Sequence, residues 1–369
     1  MAFTAQNTTH QGDISQDAIL DHPPEDSISE LAWSPVDNHL AVASWDHTVR
    51  IYDVTRSVKG EGKAMFSFGG PVLSCAWSPD GSKVVGAGAD GSARLVDLAS
   101  GNPTTAQAQQ VAQHDAPVRS VRMVQIPNSH APIVVTGSWD RTVKYWDLRQ
   151  STPLGVLECP ERVYAMEISR GQLLVALADR QISLVNLNQP TTVFKTLQSP
   201  LKHQTRTICW IPDGSGFAVG SIEGRCGVNY IDDAKKQKNC PDGDMTCRSN
   251  FTFRCQRTPK DNDPKNQLVY AVNAVSFHPR YHTFSTAGSD GTYCFWDKDA
   301  HHRLKSFPAV GHSITSTAFN LDGSIFAYAI GYDWSKGYAH NTRDHPTKIA
   351  LHPVSDAECK PKATTTTRR

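Results

Sequence analysis

The chain has 369 residues, with 37 Lys and Arg against 36 Asp and Glu; a net charge of +1 excludes a global electrostatic draw toward nucleic acid or membrane and leaves only local patches. Nine cysteines, an odd number with no apolar leader before them, fit reduced thiols better than a secreted disulfide framework. No run approaches the roughly 18 to 20 apolar residues of a membrane helix, so no direct membrane insertion is expected.

Taken in chain order, the polar start MAFTAQNTTHQGD predicts a flexible extension over residues 1–16. The short apolar stretch DAILD, Asp17 to Asp21, then runs into a Pro23-Pro24 turn. From there one pattern recurs. SELAWSPVDNHLAVAS gives a strand, a turn and a second strand, and ASWDHTVRIYD gives an acidic turn and a third alternating strand. SCAWSPDGSKVVGAG, GSWDRTVKYWD and AGSDGTYCFWD repeat its parts. Equivalent acidic positions are Asp46, Asp90, Asp140, Asp179, Glu223, Asp290 and Asp333, spaced 39 to 50 residues apart except for the 67 residues between Glu223 and Asp290. Short strands at a period near 40 to 45 identify propeller blades, each of which has two apolar faces that only neighbouring blades can cover. The predicted fold is therefore all-β, a seven-bladed WD-repeat β-propeller over residues 17–355.

The long interval places an insertion in blade five at about 233–268, with KKQKNCPDGDMTCRSN as a polar loop and FTFRC as an extra strand. After Asp333 only one more strand is evident, near Thr347 to His352, before a flexible tail at 356–369. Blade seven is thus one strand short, and DAILD is the candidate that closes the ring from the amino terminus.

Asp140 and its counterparts, with His114, His203 and His312, invite an acid-base or metal reading, but repetition scatters them around a ring. Ser138, Asp140, Trp146 and His114 have the order of a structural hydrogen-bond tetrad instead. Cys240, Cys247 and Cys255 are too widely spaced for zinc ligands, and no phosphate loop, HExxH or GxSxG motif occurs. No enzyme activity, metal or cofactor is expected. Near the insertion, Arg225, Phe253, Trp296, Lys298, Arg303 and Lys305 combine aromatics with cations, a composition suited to nucleotides or an acidic peptide. Trp296 also occupies the repeat's structural Trp position.

Over nearly its whole length the chain resembles the mRNA export factor family of WD-repeat nucleoporins, in a fungal form. The phrases that carry the resemblance are PPEDSIS, AQHDAPVRSV, GSWDRTVKYWD, ERVYAMEI, SPLKHQTR, GSIEGR, NFTFRC, YAVNAVSFHP, GSDGTYCFWDKDA and YAIGYDWSKG. It implies an adaptor at the nuclear pore and nuclear envelope, with passage to the cytoplasm. The implied partners are the GLEBS-motif segment of an FG-repeat nucleoporin, mRNA export complexes and single-stranded RNA. The family's RNA groove maps onto Arg225, Phe253, Trp296, Lys298 and Arg303, while His301 stands where the animal proteins carry a basic residue. An ordinary histidine is mostly uncharged at neutral pH, so that departure weakens the groove. The WD skeleton alone also permits a scaffold or substrate receptor in another complex, such as a ubiquitin ligase.

Overall fold

A computed structural model describes residues 11–55, 59–99, 108–126, 131–231, 249–260, 263–342 and 344–361. These residues form seven four-stranded antiparallel sheets and one two-stranded hairpin. Blade one runs from the inner strand Ile28–Trp33 through His39–Ser44 and Thr48–Asp53 to the outer strand Glu61–Ser67. Blade seven begins with Ile314–Phe319, Ile325–Ile330 and Lys348–Pro353, and its fourth strand is Ala18–Ile19, paired with Leu351 and Ala350. The amino-terminal strand therefore closes the ring.

The acidic turns form for a local reason. Asp46, Asp90, Asp140, Asp179, Asp290 and Asp333 each accept the N–H of the residue two positions on, at 2.9–3.1 Å. The residue between takes a left-handed conformation, as at His47, Arg141, Arg180, Gly291 and Trp334. Around Asp140, His114 Nδ1 lies 2.7 Å from Oδ2, His114 Nε2 lies 2.7 Å from Thr136 Oγ1, and Trp146 Nε1 donates to the same hydroxyl at 2.8 Å. All three bonds are satisfied if Nδ1–H donates to Asp140 and the Thr136 hydroxyl donates to Nε2. Thr136, not Ser138, thus completes the tetrad. Ser138 Oγ instead receives the Asp140 N–H at 3.1 Å and donates to the Ala116 and Pro117 carbonyls.

Packing follows the repeat. Seven buried apolar clusters each bridge adjacent blades; Leu20, Ile349 and Leu351 of blade seven meet Ile28, Leu40 and Tyr52 of blade one. The Trp that ends an inner strand donates to a carbonyl of the preceding blade: Trp77 to Ala32 at 2.9 Å, Trp210 to Glu167 at 3.2 Å, and Trp33 across the closure to Ala318 at 3.1 Å.

Three boundaries differ from expectation. The flexible start was expected to reach residue 16, but Gln11 bridges Ser306 of blade six and the Gly12 N–H donates to the Ser306 carbonyl at 2.7 Å. A side chain at Gly12 would overlap the Phe307 ring, so glycine permits this approach. Phe251–Arg254, read as an extra strand, is blade five's own fourth strand, paired to Arg225–Val228. The added element is the hairpin Arg257–Lys260 and Asp263–Val269. The tail begins later than 356, because Ser355 and Glu358 cap a helical turn, Asp356–Cys359, that buries Cys359 and accepts Thr283 Oγ1 at its carbonyl. Residues 1–10, the terminal TTTTRR, Cys240, Cys247 and most of the KKQKNC loop lie outside the described residues.

Candidate binding face at the channel mouth

Every inner strand carries the same irregularity. Its register shifts between the first and third residue, at Ile28/Glu30, Val72/Ser74, Val118/Ser120, Val163/Ala165, Thr205/Thr207, Val272/Ala274 and Ile314/Ser316. A bulge re-aims the extra residue. The seven bulged residues, Ser29, Leu73, Arg119, Tyr164, Arg206, Asn273 and Thr315, all line a central cavity of about 610 Å³.

The acidic turns stand at this end of the strands. Trp45 N–H donates to the Ser27 carbonyl, Trp139 to Pro117 and Ile222 to Gln204, tying each turn to the entry of its inner strand. Trp45, Trp139, Tyr332 and Trp334 consequently line the cavity at its mouth. Trp45 and Trp334 stack with centroids 4.1 Å apart, Trp139 is 39% exposed, and Ile222, at the same turn position in blade five, is exposed too. Trp334 holds φ at 62°, a conformation that costs a bulky residue about 1–2 kcal/mol. Its loop carries Tyr338, 86% exposed.

Charge is layered along the channel. The bulge ring contains two arginines and no carboxylate. Arg119 Nη1 donates to the Leu73 carbonyl at 3.3 Å and Arg206 Nη2 to the Asp333 carbonyl at 2.8 Å. Among the described residues neither pairs with a carboxylate. Burial lowers the pKa of both, with Glu30 acting in the opposite sense on Arg119 and Asp333 on Arg206. Further along the inner strands, Arg122 binds Glu30 at 2.9 Å and Glu167 at 3.1 Å. Burial works against its charge too, but the two carboxylates more than offset that and raise its pKa. Asp333 is held by Ser289, Asn273 and Ser335.

The residues expected at the blade five–six edge are arranged differently from a stacking groove. Phe253 is buried and packs on Trp296 with centroids 4.7 Å apart, and Trp296 Nε1 donates to Thr286 Oγ1 at 2.9 Å. Both aromatics are spent inside the blades. Trp296 belongs to a second tetrad in which Gln256 replaces histidine, with Nε2 donating to Asp290 at 3.0 Å and Oε1 accepting from Thr286 at 3.3 Å. Lys298 is also buried and meets Asp299 at 2.6 Å. His301 packs 4.1 Å from the Phe251 ring, and burial lowers its pKa, keeping it neutral. Arg225 donates to Thr252 at 2.9 Å and faces Arg254 across the strand pair. Arg257, which sequence reading missed, has its pKa lowered by burial and by neighbouring Arg254 and Arg225, so the edge holds an arginine cluster. Arg303 and Lys305 remain half-buried on the outer strand of blade six.

His203 approaches Glu223 at 3.3 Å, whereas His312 packs against the His345 ring. Cys255 is buried in a core cluster with Cys226 and Cys294. Among the described residues no group of three or more His, Cys, Asp or Glu could hold a metal.

The model of the WD domain, G-beta repeat, matches residues 16–53, 62–97, 107–147 and 264–297. The chain is 59% identical over 353 residues to the WD40 repeat protein poxJ of Penicillium oxalicum, covering 96% of this chain and 98% of that one. It is 50% identical over 363 residues to the mRNA export factor GLE2 of Chaetomium thermophilum, covering 97% and 96%. The mRNA export factor of Danio rerio is 40% identical over 362 residues, covering 96% and 94%. The chain belongs to the WD40-repeat family of mRNA export factors. Family membership thus rests on similarity over nearly the whole chain and not on the WD repeats alone.

Proposed function

We propose that the chain is a non-enzymatic adaptor in mRNA export at the nuclear pore, where it docks the acidic GLEBS-motif segment of an FG-repeat nucleoporin across the channel mouth. The observation that carries this reading is the conjunction of Trp45, Trp139 and Trp334 with Arg119 and Arg206 on one face. The exposed Trp139 and the half-buried Trp45–Trp334 stack supply apolar anchors, and cations without carboxylate partners among the described residues supply complementarity to an acidic chain. A segment ordered on binding needs several contacts to offset its lost entropy, which a face assembled from turns of many blades offers. Similarity to proteins named as mRNA export factors supports the pathway.

Single-stranded RNA is assigned to the blade five–six edge, where Arg225, Arg254, Arg303 and Lys305 meet phosphates without stacking on Phe253 or Trp296. Few phosphate contacts make that binding weak and its salt dependence shallow. Isothermal titration of the full chain with a synthetic GLEBS segment tests the main reading. Binding at micromolar or tighter affinity supports it, and no heat at high micromolar concentration defeats it.

A further inference from the structure

At the carboxyl-terminal helical turn three donors converge on one carboxylate oxygen. Glu358 Oε2 accepts the Ser355 N–H at 3.0 Å and Ser355 Oγ at 2.9 Å, and His352 Nε2 approaches the same oxygen at 3.4 Å. Further contacts seat the turn on blade six: Tyr281 Oη donates to Asp356 at 2.8 Å, Thr283 Oγ1 donates to the Cys359 carbonyl at 2.8 Å, and the Cys359 side chain joins the apolar cluster there. A single turn at the end of the fold buries little and opens locally far more readily than the blades do. Ser355 is exposed, and it is the one serine or threonine of the sequence followed by carboxylates at both the first and the third position, Asp356 and Glu358. A hydroxyl followed by acids complements a protein kinase whose substrate groove is lined by basic side chains. In the seated turn both carboxylates are engaged, and opening it releases them to the enzyme together with the hydroxyl.

We propose that Ser355 is a phosphorylation site for an acid-directed serine kinase, and that the phosphate unlatches the carboxyl-terminal turn from blade six. In the transfer Ser355 Oγ attacks the γ-phosphorus of ATP and the bond from that phosphorus to the β–γ bridging oxygen breaks. ADP leaves, and the hydroxyl proton passes to the kinase's base. The product places a charge of about −1.5 to −2 at neutral pH where a donor stood. Glu358 is then expelled, because it has lost the Oγ donor and a like charge now sits beside His352 Nε2 in its place. Glu358 directly precedes Cys359, so its departure unseats the thiol and uncovers Tyr281 and Thr283. The ring itself stays closed: Asp17 holds His352 through Nδ1 at 2.6 Å, and the strand Ala18–Ile19 keeps its pairing with Leu351 and Ala350. None of these residues lines the channel mouth, so this switch and the docking proposed above can fail independently.

The test treats the full chain with magnesium, ATP and a purified acid-directed serine kinase, maps phosphate by peptide mass spectrometry, and follows iodoacetamide labelling of Cys359 in the same peptide. Ser355 should take up phosphate. Burial pushes the Cys359 thiol up to about 12, so it should label slowly in the unmodified chain. After phosphorylation it should label at least about tenfold faster. Ser355→Ala, which loses the cap without gaining charge, should take up no phosphate there and label Cys359 only a few-fold faster than wild type. No phosphate at Ser355, unchanged labelling of Cys359 in the phosphorylated chain, or labelling of Ser355→Ala as fast as that of the phosphorylated chain would each overturn the proposal.

Discussion

Two regions hold charge inside the ring, and they do so in opposite ways. At the seam where the ring closes, Asp17 from the amino terminus accepts from His352 Nδ1 at 2.6 Å and from Tyr328 at 2.5 Å, while Glu358 approaches His352 Nε2 at 3.4 Å. Three chain segments meet there, with the one His352 imidazole shared between two carboxylates. In the channel, Arg119 and Arg206 have backbone partners only. A charge buried against ionic partners serves structure, and one that lines an open cavity with donors to spare suits binding. The seam should therefore govern stability, and the channel face should govern binding.

The largest expected effect breaks the seam. Asp17→Ala leaves the buried His352 cation and Tyr328 hydroxyl facing each other without their acceptor, at a cost of about 3–5 kcal/mol. Urea denaturation measures it, and a midpoint equal to wild type would remove the seam from the closure. Next comes the blade-six tetrad. Gln256→Leu orphans groups on Asp290, Thr286 and Thr292, lowering stability by about 1–3 kcal/mol in the same assay. If it is silent, glutamine does not replace the tetrad histidine.

A smaller effect follows from pH. Burial opposes the charge on His352, but the bonds to Asp17 and Glu358 raise its pKa from 6.5 to about 9. The raised value means that this histidine's stabilising contribution is complete below pH 6.5 and is lost as pH rises through about 9. Glu358, whose pKa is lowered by His352 and the Ser355 N–H despite its burial, contributes above its ordinary value of 4.5 and loses that contribution in acid. Melting temperature should thus decline between pH 6.5 and 9 in the wild type and more weakly in His352→Gln; parallel curves would contradict the assignment. The smallest stability effect belongs to the mouth: Trp139→Ala, with its ring already partly in water, should change stability by less than about 0.5 kcal/mol in urea denaturation. A larger loss would make Trp139 a packing residue.

Much of the fold was legible because it rests on local chemistry that repeats. An acidic residue that caps its own turn must recur once per blade, so Asp46 through Asp333 announce seven blades, and the missing strand points to DAILD. The site was harder to read. Phe253 and Trp296 lie near cations along the chain, yet their strand positions turn them inward, Lys298 is buried in the turn that follows, and linear proximity says nothing about facing. Trp45 and Trp139 stood in plain view in ASWDHT and GSWDRT, where the residue before the anchor Asp sits on the rim. The bulge that aims Arg119 and Arg206 into the channel shifts register by one residue, which leaves no mark on an alternating pattern. Gln256 escaped notice because it does a histidine's work with another side chain.

The central claim is that the channel mouth, and not the blade five–six edge, receives the acidic segment. Calorimetric titration of the GLEBS segment into two full-length variants tests it most directly. Trp139→Ala with Trp334→Ala should lose at least about tenfold in affinity while melting near the wild-type temperature, and Arg225→Glu with Arg254→Glu should bind like wild type. Loss of the segment in the arginine variant, with wild-type affinity in the tryptophan variant, would contradict the account.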